Sequence, residues 1–388
     1  MLPVYEKTSG SRAEEEGIQA VEARRPGETT GLVEGEASVK APFPYFGGKS
    51  RVAALVWSRF GDPPNYVEPF CGSCAILLAR PGWDIERGDW ADGMPRTETV
   101  NDSNAWLCNL WRAIKADPDA VAYHAADPVS ELDLHARGDW LFYRPGVDRE
   151  FVERLRGDPE YCDAKSAGWW VWGQASWIGS NWSRVAHNKR KLDGVAVGVV
   201  HALPHLSRGT GVNRKRPHLS DAGRGVNRSS FPGEPGAGIL ETPRLAGIRA
   251  YLRQLCARLS RMRICCGDWT RVLGPTPTTH HGLTAVFFDP PYGVADRDSV
   301  YGEDEDRDVA HAVRAWCLEH GDDPLLRIVL CGYDEHALPA SWTRETWRAY
   351  GGYGLQGDGT GRANRERETI WFSPGCTKTR QEVLPLCP

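Results

Sequence analysis

Short apolar runs that stop at an acid or a turn recur along the chain, and they set its predicted architecture. Ala285-Val286-Phe287-Phe288 is long enough for one buried strand, and Asp289-Pro290-Pro291 ends it, because proline removes a ladder donor and restrains the preceding residue. Tyr66-Val67-Glu68 followed by Ile76-Leu77-Leu78 reads as strand, tight loop and helix. Glu98 to Val100 reads as a strand closing at Asn101-Asp102, before a helix with Trp106, Leu107, Leu110, Trp111 and Ile114 on one face. Met262–Cys266, Arg327–Tyr333 and Glu368–Phe372 add further strands, and Leu245–Ser260 and Val309–His320 add helices. Val52, Leu55, Val56 and Phe60 fall at helical spacing, with Ser50 as the expected cap. Strands alternating with helices predict an α/β sheet, largely parallel.

The rhythm breaks twice. Met1 to about Lys40 is rich in Glu, Gly, Ser and Thr without periodicity and reads as a disordered tail. From Tyr123 to Pro243 the strand–helix alternation is lost: Trp169, Trp170, Trp172, Trp177 and Trp182 cluster first, and Gly-rich basic sequence follows. The tryptophans read as a small core of this insert ahead of a stacking platform. Gly211-Val212-Asn213-Arg214 recurs as Gly225-Val226-Asn227-Arg228. The expected division is a tail at 1–40, a sheet domain at 41–122 and 245–375, an insert at 123–244 and a loose tail at 376–388.

Charge alters this picture in one place. The whole chain of 388 residues carries a net charge of −4, which alone argues against nucleic acid. Between Arg184 and Arg228, however, ten Lys and Arg face only Asp193 and Asp221, a local excess of eight positive charges. Arg208, Arg214, Lys215, Arg216, Arg224 and Arg228 in that block are candidates for phosphate contacts, and a solvated loop is the plainer alternative. Eleven cysteines, an odd number, suggest free thiols in a reducing cytoplasm. Cys71 and Cys74 form the only CxxC, with no second pair at zinc spacing, so no metal is expected. No apolar run approaches the roughly 18 residues of a membrane span, and no secretory signal is read at the N-terminus.

Candidate chemistry gathers at the predicted strand ends. In an open α/β sheet, ligands bind outside the carboxyl ends of the strands. Glu68, Asp102 and Asp289 each occupy such an end. Asp102 or Ser103 could equally cap the following helix, and Asp289 could simply form a turn. Gly47-Gly48-Lys49 lets backbone N–H groups and one cation approach an anion, but it lacks the spacing of a nucleotide P-loop.

Four blocks together resemble the Dam-like N6-adenine DNA methyltransferases of the alpha arrangement. Pro44-Tyr45-Phe46-Gly47-Gly48-Lys49 is similar to that family's N-terminal cofactor motif. Glu68-Pro69-Phe70-Cys71-Gly72-Ser73 resembles its first-strand motif, and Asn101-Asp102-Ser103-Asn104 its ribose-binding acid motif. Asp289-Pro290-Pro291-Tyr292 matches its catalytic tetrapeptide. The order of the blocks around a basic insert also matches, over about residues 41–122 and 245–375. Departures are Cys74, where the family usually has Gly or Ala, and Tyr45-Phe46, where Trp and a small residue are common.

The resemblance implies a Rossmann-like S-adenosylmethionine-dependent methyltransferase sheet with an inserted DNA target-recognition domain. It implies Asp289, Pro290 and Tyr292 as catalytic residues, and Tyr45, Lys49, Glu68, Asp102, Asp268 and Asp289 around S-adenosylmethionine. Its expected activity is methyl transfer to the N6 amino group of adenine in double-stranded DNA, with the base flipped out and no metal. An N4-cytosine DNA methyltransferase, which more often carries Ser at the position of Asp289, is the nearest alternative. A non-catalytic DNA-binding protein on the same fold is the other. The expected setting is the cytoplasm of a bacterial or phage-infected cell, with the chain a monomer and a cognate restriction endonuclease as a conceivable partner.

Overall fold

In the computed structural model, residues 39–43, 49–142, 147–176, 242–291, 303–332, 338–347 and 368–377 are described. After a 3-10 turn at Lys49–Arg51 come α1 (Ala53–Phe60), β1 (Asn65–Glu68) and the short α2 (Ala75–Leu78). A small hairpin, β2 (Trp83–Asp84) and β3 (Asp89–Trp90), precedes β4 (Thr97–Asp102). The helices α3 (Ala105–Ala116), α4 (Pro118–Ala125), α5 (Glu131–Phe142), α6 (Val147–Gly157) and α7 (Ala164–Ser176) follow. Later come α8 (Pro243–Leu259), β5 (Met262–Cys266), β6 (Thr284–Phe288), α9 (Glu303–His320), β7 (Leu326–Gly332), β8 (Thr343–Thr346) and β9 (Thr369–Phe372).

Seven strands form one sheet in the order β5-β4-β1-β6-β7-β9-β8. β5, β4, β1, β6 and β7 pair in parallel, whereas β9 is antiparallel to both β7 and β8. β1 and β6 are buried along their whole length, as central parallel strands covered on both faces must be. Their side chains alternate between two cores. Tyr66, Ala285 and Phe287 join α1, α3 and α8 on one face, while Val67, Val286 and Phe288 join Val313 and Cys317 of α9 on the other. The α/β expectation therefore holds, and the sheet is consistent with a Rossmann-like fold.

The chain leaves β1 toward β4 and β5, then returns to the other side of β1 to lay down β6 and β7. The reversal falls between β1 and β6. Helices diverge on either side of such a point and leave a crevice outside the carboxyl ends of the strands.

At the opposite end of the sheet, burial is reconciled with charge by tight pairing. Arg258 grips Glu98, at the start of β4, through two bonds of 2.6 and 2.8 Å, and Arg80 reaches the same carboxylate at 3.3 Å. The guanidinium groups of Arg80 and Arg258 both lie 5.0 Å from the ring of Trp90, which anchors the β2–β3 hairpin. Two-residue strands carry no periodic signal, so neither this hairpin nor the four-residue β8 stands out in the sequence.

Several expected boundaries move. Val39 is buried in the core and the carbonyl of Lys40 accepts the Tyr251 hydroxyl at 2.6 Å, so packing begins before Ala41. At the other end Cys376 is buried and Thr377 N donates to Arg59 O at 2.8 Å, which extends packing beyond 375. Ser50 does not cap α1: it sits inside the 3-10 turn, and Val52 precedes the helix without a side-chain cap bond. Trp170 and Val171 of α7 do not form a separate insert core; they pack into the main core with Phe43 and Trp111. The basic block from Arg184 to Arg228, with Trp177 and Trp182, lies outside the described residues.

α7 approaches α4 closely because Gly168 lacks a side chain. An added Cβ there would meet the Val121 carbonyl oxygen at 2.7 Å and the His124 side chain closer still. Backbone on the facing helix cannot yield cheaply. Gly168→Ala is expected to cost about 2 kcal/mol or more and to lower the melting temperature, and differential scanning calorimetry checks this.

Candidate active site

The loop leaving β1 is the first wall of the crevice. Gly72 has φ 45° and Cys74 φ 53°, both left-handed. Glycine tolerates this freely; an L side chain at Cys74 stores about 1 kcal/mol or more of strain. The thiol is nonetheless fully buried, and Cys74 N closes the turn on Cys71 O at 2.7 Å. The departure at this position thus exchanges backbone ease for a packed sulfur.

β4 ends in two residues that tie the loops together. Asn101 Nδ2 donates to Pro69 O at 3.1 Å and to Gly267 O at 3.0 Å, spanning the loops after β1 and β5. Asp102 Oδ2 accepts Gly72 N at 3.1 Å and Oδ1 accepts Asn104 N at 2.9 Å. Burial pushes the Asp102 carboxyl up to about 6, against those backbone donors, which hold it down. The helix cap falls to neither Asp102 nor Ser103: Asn104 Oδ1 accepts Trp106 N at 3.0 Å and Leu107 N at 3.3 Å.

At the end of β5, Asp268 is exposed and caps its own 3-10 turn, Trp269–Val272, by accepting Thr270 N at 2.9 Å and the Thr270 hydroxyl. Beside it, Phe70 of the β1 loop stacks on Trp269 with centroids 6.0 Å apart. Phe288 meets Trp269 edge-on at 6.2 Å.

β6 ends at the strongest electrostatic feature. Lys49 Nζ lies 2.9 Å from Asp289 Oδ1 and 4.0 Å from Glu368 Oε2. The Lys49 side chain is only 3% exposed, that of Asp289 19%. Burial alone would lower the lysine's pKa; Asp289 and Glu368 outweigh it, so the ammonium is held well above its ordinary value. Nζ also stands 5.8 Å from the Trp347 ring centre. Pro290 is buried behind Asp289.

Glu68 behaves differently from the other strand-end acids. It is buried, and Tyr66 Oη donates to its Oε2 at 2.9 Å. Burial raises its pKa well above the carboxylate range, nearby Asp289 raises it further, and the Tyr66 bond opposes the rise. A carboxyl so placed braces β1 beneath the loop more readily than it faces a ligand. Tyr45, Tyr292, Arg208, Arg214, Lys215, Arg216, Arg224 and Arg228 lie outside the described residues. Sequence reading passes over Asn101 and Glu368. The first stands beside Asp102 in the motif, and the second is an acid immediately ahead of a terminal strand. Among the described residues no group of three or more His, Cys, Asp and Glu could hold a metal ion.

The family model described as D12 class N6 adenine-specific DNA methyltransferase matches residues 45–154. This supports the Dam-like N6-adenine methyltransferase family. No curated protein matches the chain.

The matched span holds Lys49, Glu68, Asn101 and Asp102, and runs from the Gly-Gly turn into α6. It stops short of Asp268, Asp289 and Glu368, which the fold brings to the same sheet edge. The family supports a DNA adenine methyltransferase in general, and it implies DNA as the substrate and S-adenosylmethionine as the methyl donor. No helix among the described residues is long and apolar enough to cross a membrane.

The raised pKa of Asp102 has a stability consequence. In the unfolded chain a carboxyl titrates near its ordinary value; folded, it holds its proton to about pH 6. The native state therefore binds more protons across that interval, and stability falls as pH rises through it. Against Asp102→Asn, which cannot titrate, the wild type should lose up to about 3 kcal/mol of unfolding free energy between about pH 4 and about pH 6.5, then level off. Urea titrations of both proteins across that range measure the difference.

Proposed function

We propose that the protein transfers the methyl group of S-adenosylmethionine to the N6 amino group of adenine in duplex DNA. The observation that carries this reading is the buried Lys49–Asp289 pair at the end of β6, beside the strand-order reversal. The donor set suits the cofactor. Acids end β4, β5 and β6 around a loop that Gly72 lets turn sharply, and such groups complement ribose hydroxyls, an ammonium and a sulfonium. When bound, S-adenosylmethionine supplies an electrophilic methyl on a sulfonium centre.

The chain's own residues would do the rest. The 6-amino group of adenine is a weak nucleophile because its lone pair is delocalised into the ring. The carboxylate of Asp289 and the carbonyl of Pro290 accept its two N–H bonds and draw the nitrogen toward tetrahedral geometry. Lys49 holds Asp289 Oδ1 at 2.9 Å, which fixes the carboxylate before substrate arrives. Pro290 and Pro291 stiffen the second acceptor in the same way. With S-adenosylmethionine bound, Asp102 in its ionised form would accept hydroxyl hydrogen bonds, and Asp268, exposed after the next strand, would offer a second carboxylate to it. By the resemblance, Tyr292 would stack on the target base and Tyr45 would help to hold the cofactor. A base in a duplex cannot reach this crevice, so it is flipped out.

DNA contacts fall to the basic block that includes Arg208, Arg214, Lys215, Arg216, Arg224 and Arg228, which follows α7 in the chain and would serve as the target-recognition segment. Phosphate contacts position and base contacts specify, so this block governs affinity and its salt dependence. The protein works as a monomer in the cytoplasm, with or without a cognate restriction endonuclease.

Purified protein with radiolabelled S-adenosylmethionine should label adenine in duplex DNA. Asp289→Ala should abolish transfer while DNA binding persists. Label in cytosine would instead establish an N4-cytosine enzyme, and DNA binding without transfer by the wild type would establish a non-catalytic protein. Lys49→Met should leave Asp289 unheld and lower kcat by about a hundredfold or more, judged from the cost of removing one preorganised electrostatic group. Cofactor affinity has its own pH signature. The dissociation constant for S-adenosylmethionine should rise as pH falls through about 6, where Asp102 takes up its proton, and Asp102→Asn should flatten that dependence. Isothermal calorimetry across pH reads both.

A further inference from the structure

We infer that Asn101 is a positioning residue that sets the spacing of the two walls of the cofactor crevice. The inference rests on the methyltransferase reading above and adds to it a residue that reading does not use. Asn101 is 1% exposed, so it does not itself face a ligand. Its Nδ2 stands 3.1 Å from Pro69 O and 3.0 Å from Gly267 O. Two carbonyl oxygens around one amide end require that end to be the NH2 group, which fixes the amide orientation by chemistry. Oδ1 is left buried with no partner among the described residues. A buried acceptor without a bond is costly, and the side chain keeps that arrangement while both its donors bridge the loops.

The two carbonyls belong to the segments that bound the crevice. Pro69 leads into Phe70, Cys71 and Gly72 after β1, and Gly267 leads into Asp268 and Trp269 after β5. The strand end at Asn101 grips both segments through its backbone as well. Cys71 N donates to Asn101 O, and Gly267 N donates to Asp102 O, each at 3.0 Å. Gly72 N completes the set on Asp102 Oδ2 at 3.1 Å. Because a peptide unit is planar and trans, pinning the carbonyls of Pro69 and Gly267 also fixes the N–H groups of Phe70 and Asp268, which point the opposite way. Above this staple Phe70 stacks on Trp269. The side-chain amide of Asn101 thus bonds the outer loop of β5 directly to the loop of β1 across the intervening strand.

The bridge lies at the ends of β1, β4 and β5, whereas Asp289 lies at the end of β6. Loosening Asn101 should therefore weaken cofactor binding without changing methyl transfer from the bound state. Asn101→Leu keeps the bulk and removes both donors. Asn101→Asp keeps the shape and opposes two carbonyl oxygens with an acceptor. In calorimetric titrations with S-adenosylmethionine, Asn101→Leu should raise the dissociation constant about tenfold, the scale of two ordinary hydrogen bonds lost, and Asn101→Asp should raise it further. KM for the donor should rise in step, with kcat at saturating donor changed by less than about twofold. A packing role alone would leave Asn101→Asp close to wild type, or lower the melting temperature of both variants while donor affinity stayed constant; either result overturns the inference. A fall in kcat at unchanged affinity overturns it as well. If wild-type protein binds no S-adenosylmethionine, the methyltransferase reading itself falls and takes this inference with it.

Discussion

The reversal of strand order beside β1 is the constraint from which the rest follows. Parallel strands place all their carboxyl ends on one edge, and a reversal opens that edge between diverging connections. Lys49, Asn101, Asp102, Asp268, Asp289 and Glu368 come from stretches up to some three hundred residues apart, yet each is delivered to this edge. The amino end of the sheet has the opposite character. There Arg80, Arg258 and Glu98 close around Trp90, and each of these charges has a partner at bonding distance. One end is sealed by paired charge while the other holds acids in unequal environments.

Those inequalities divide the work among similar groups. Glu68 and Asp102 both suffer from burial, but Glu68 finds a phenol and Asp102 finds two backbone donors. Asp289 instead meets a buried ammonium. Removing one partner of such a pair leaves an uncompensated buried charge, which is far costlier than the pair is stabilising. Lys49 is thereby bound to the N-terminal turn, to β6 and, through Glu368, to β9. The strained backbone at Cys74 belongs to the same pattern, since cost concentrates where the crevice needs a sharp loop.

Much of the sheet and its carboxyl edge is legible in local patterns of residues. Apolar runs ending at Glu68, Asp102 and Asp289 mark three strand ends correctly, and the helical spacing of Trp106 to Ile114 marks α3. Asp289-Pro290-Pro291 announces a strand stop by steric rules alone. The short hairpin and β8 escape because a few residues carry no period. The helical cap at Asn104 reads one or two residues early, since Asp102, Ser103 and Asn104 are all competent caps and only loop contacts select among them. Trp170 reads as part of a separate module because the sequence that follows it is basic and Gly-rich, whereas its indole joins Phe43 and Trp111 in the main core.

By itself, the sequence determined that β1, β4 and β6 would be strands, where each had to stop, and which polar groups would stand at those stops. These are properties of neighbours along the chain: periodicity, proline geometry and the cost of leaving an acid inside a strand. The tertiary structure alone decided which of those groups meet. Lys49 could have served an anion at a Gly-Gly turn, but the fold sets it against Asp289. Asn101 belongs to a recognisable block, but its bridging contact arose only when β5 placed the carbonyl of Gly267 opposite Pro69. Glu368 became a neighbour of Lys49 only because β9 inserts antiparallel beside β7. Contacts between segments far apart in sequence follow from strand order, and strand order is a property of the whole sheet that no single stretch encodes.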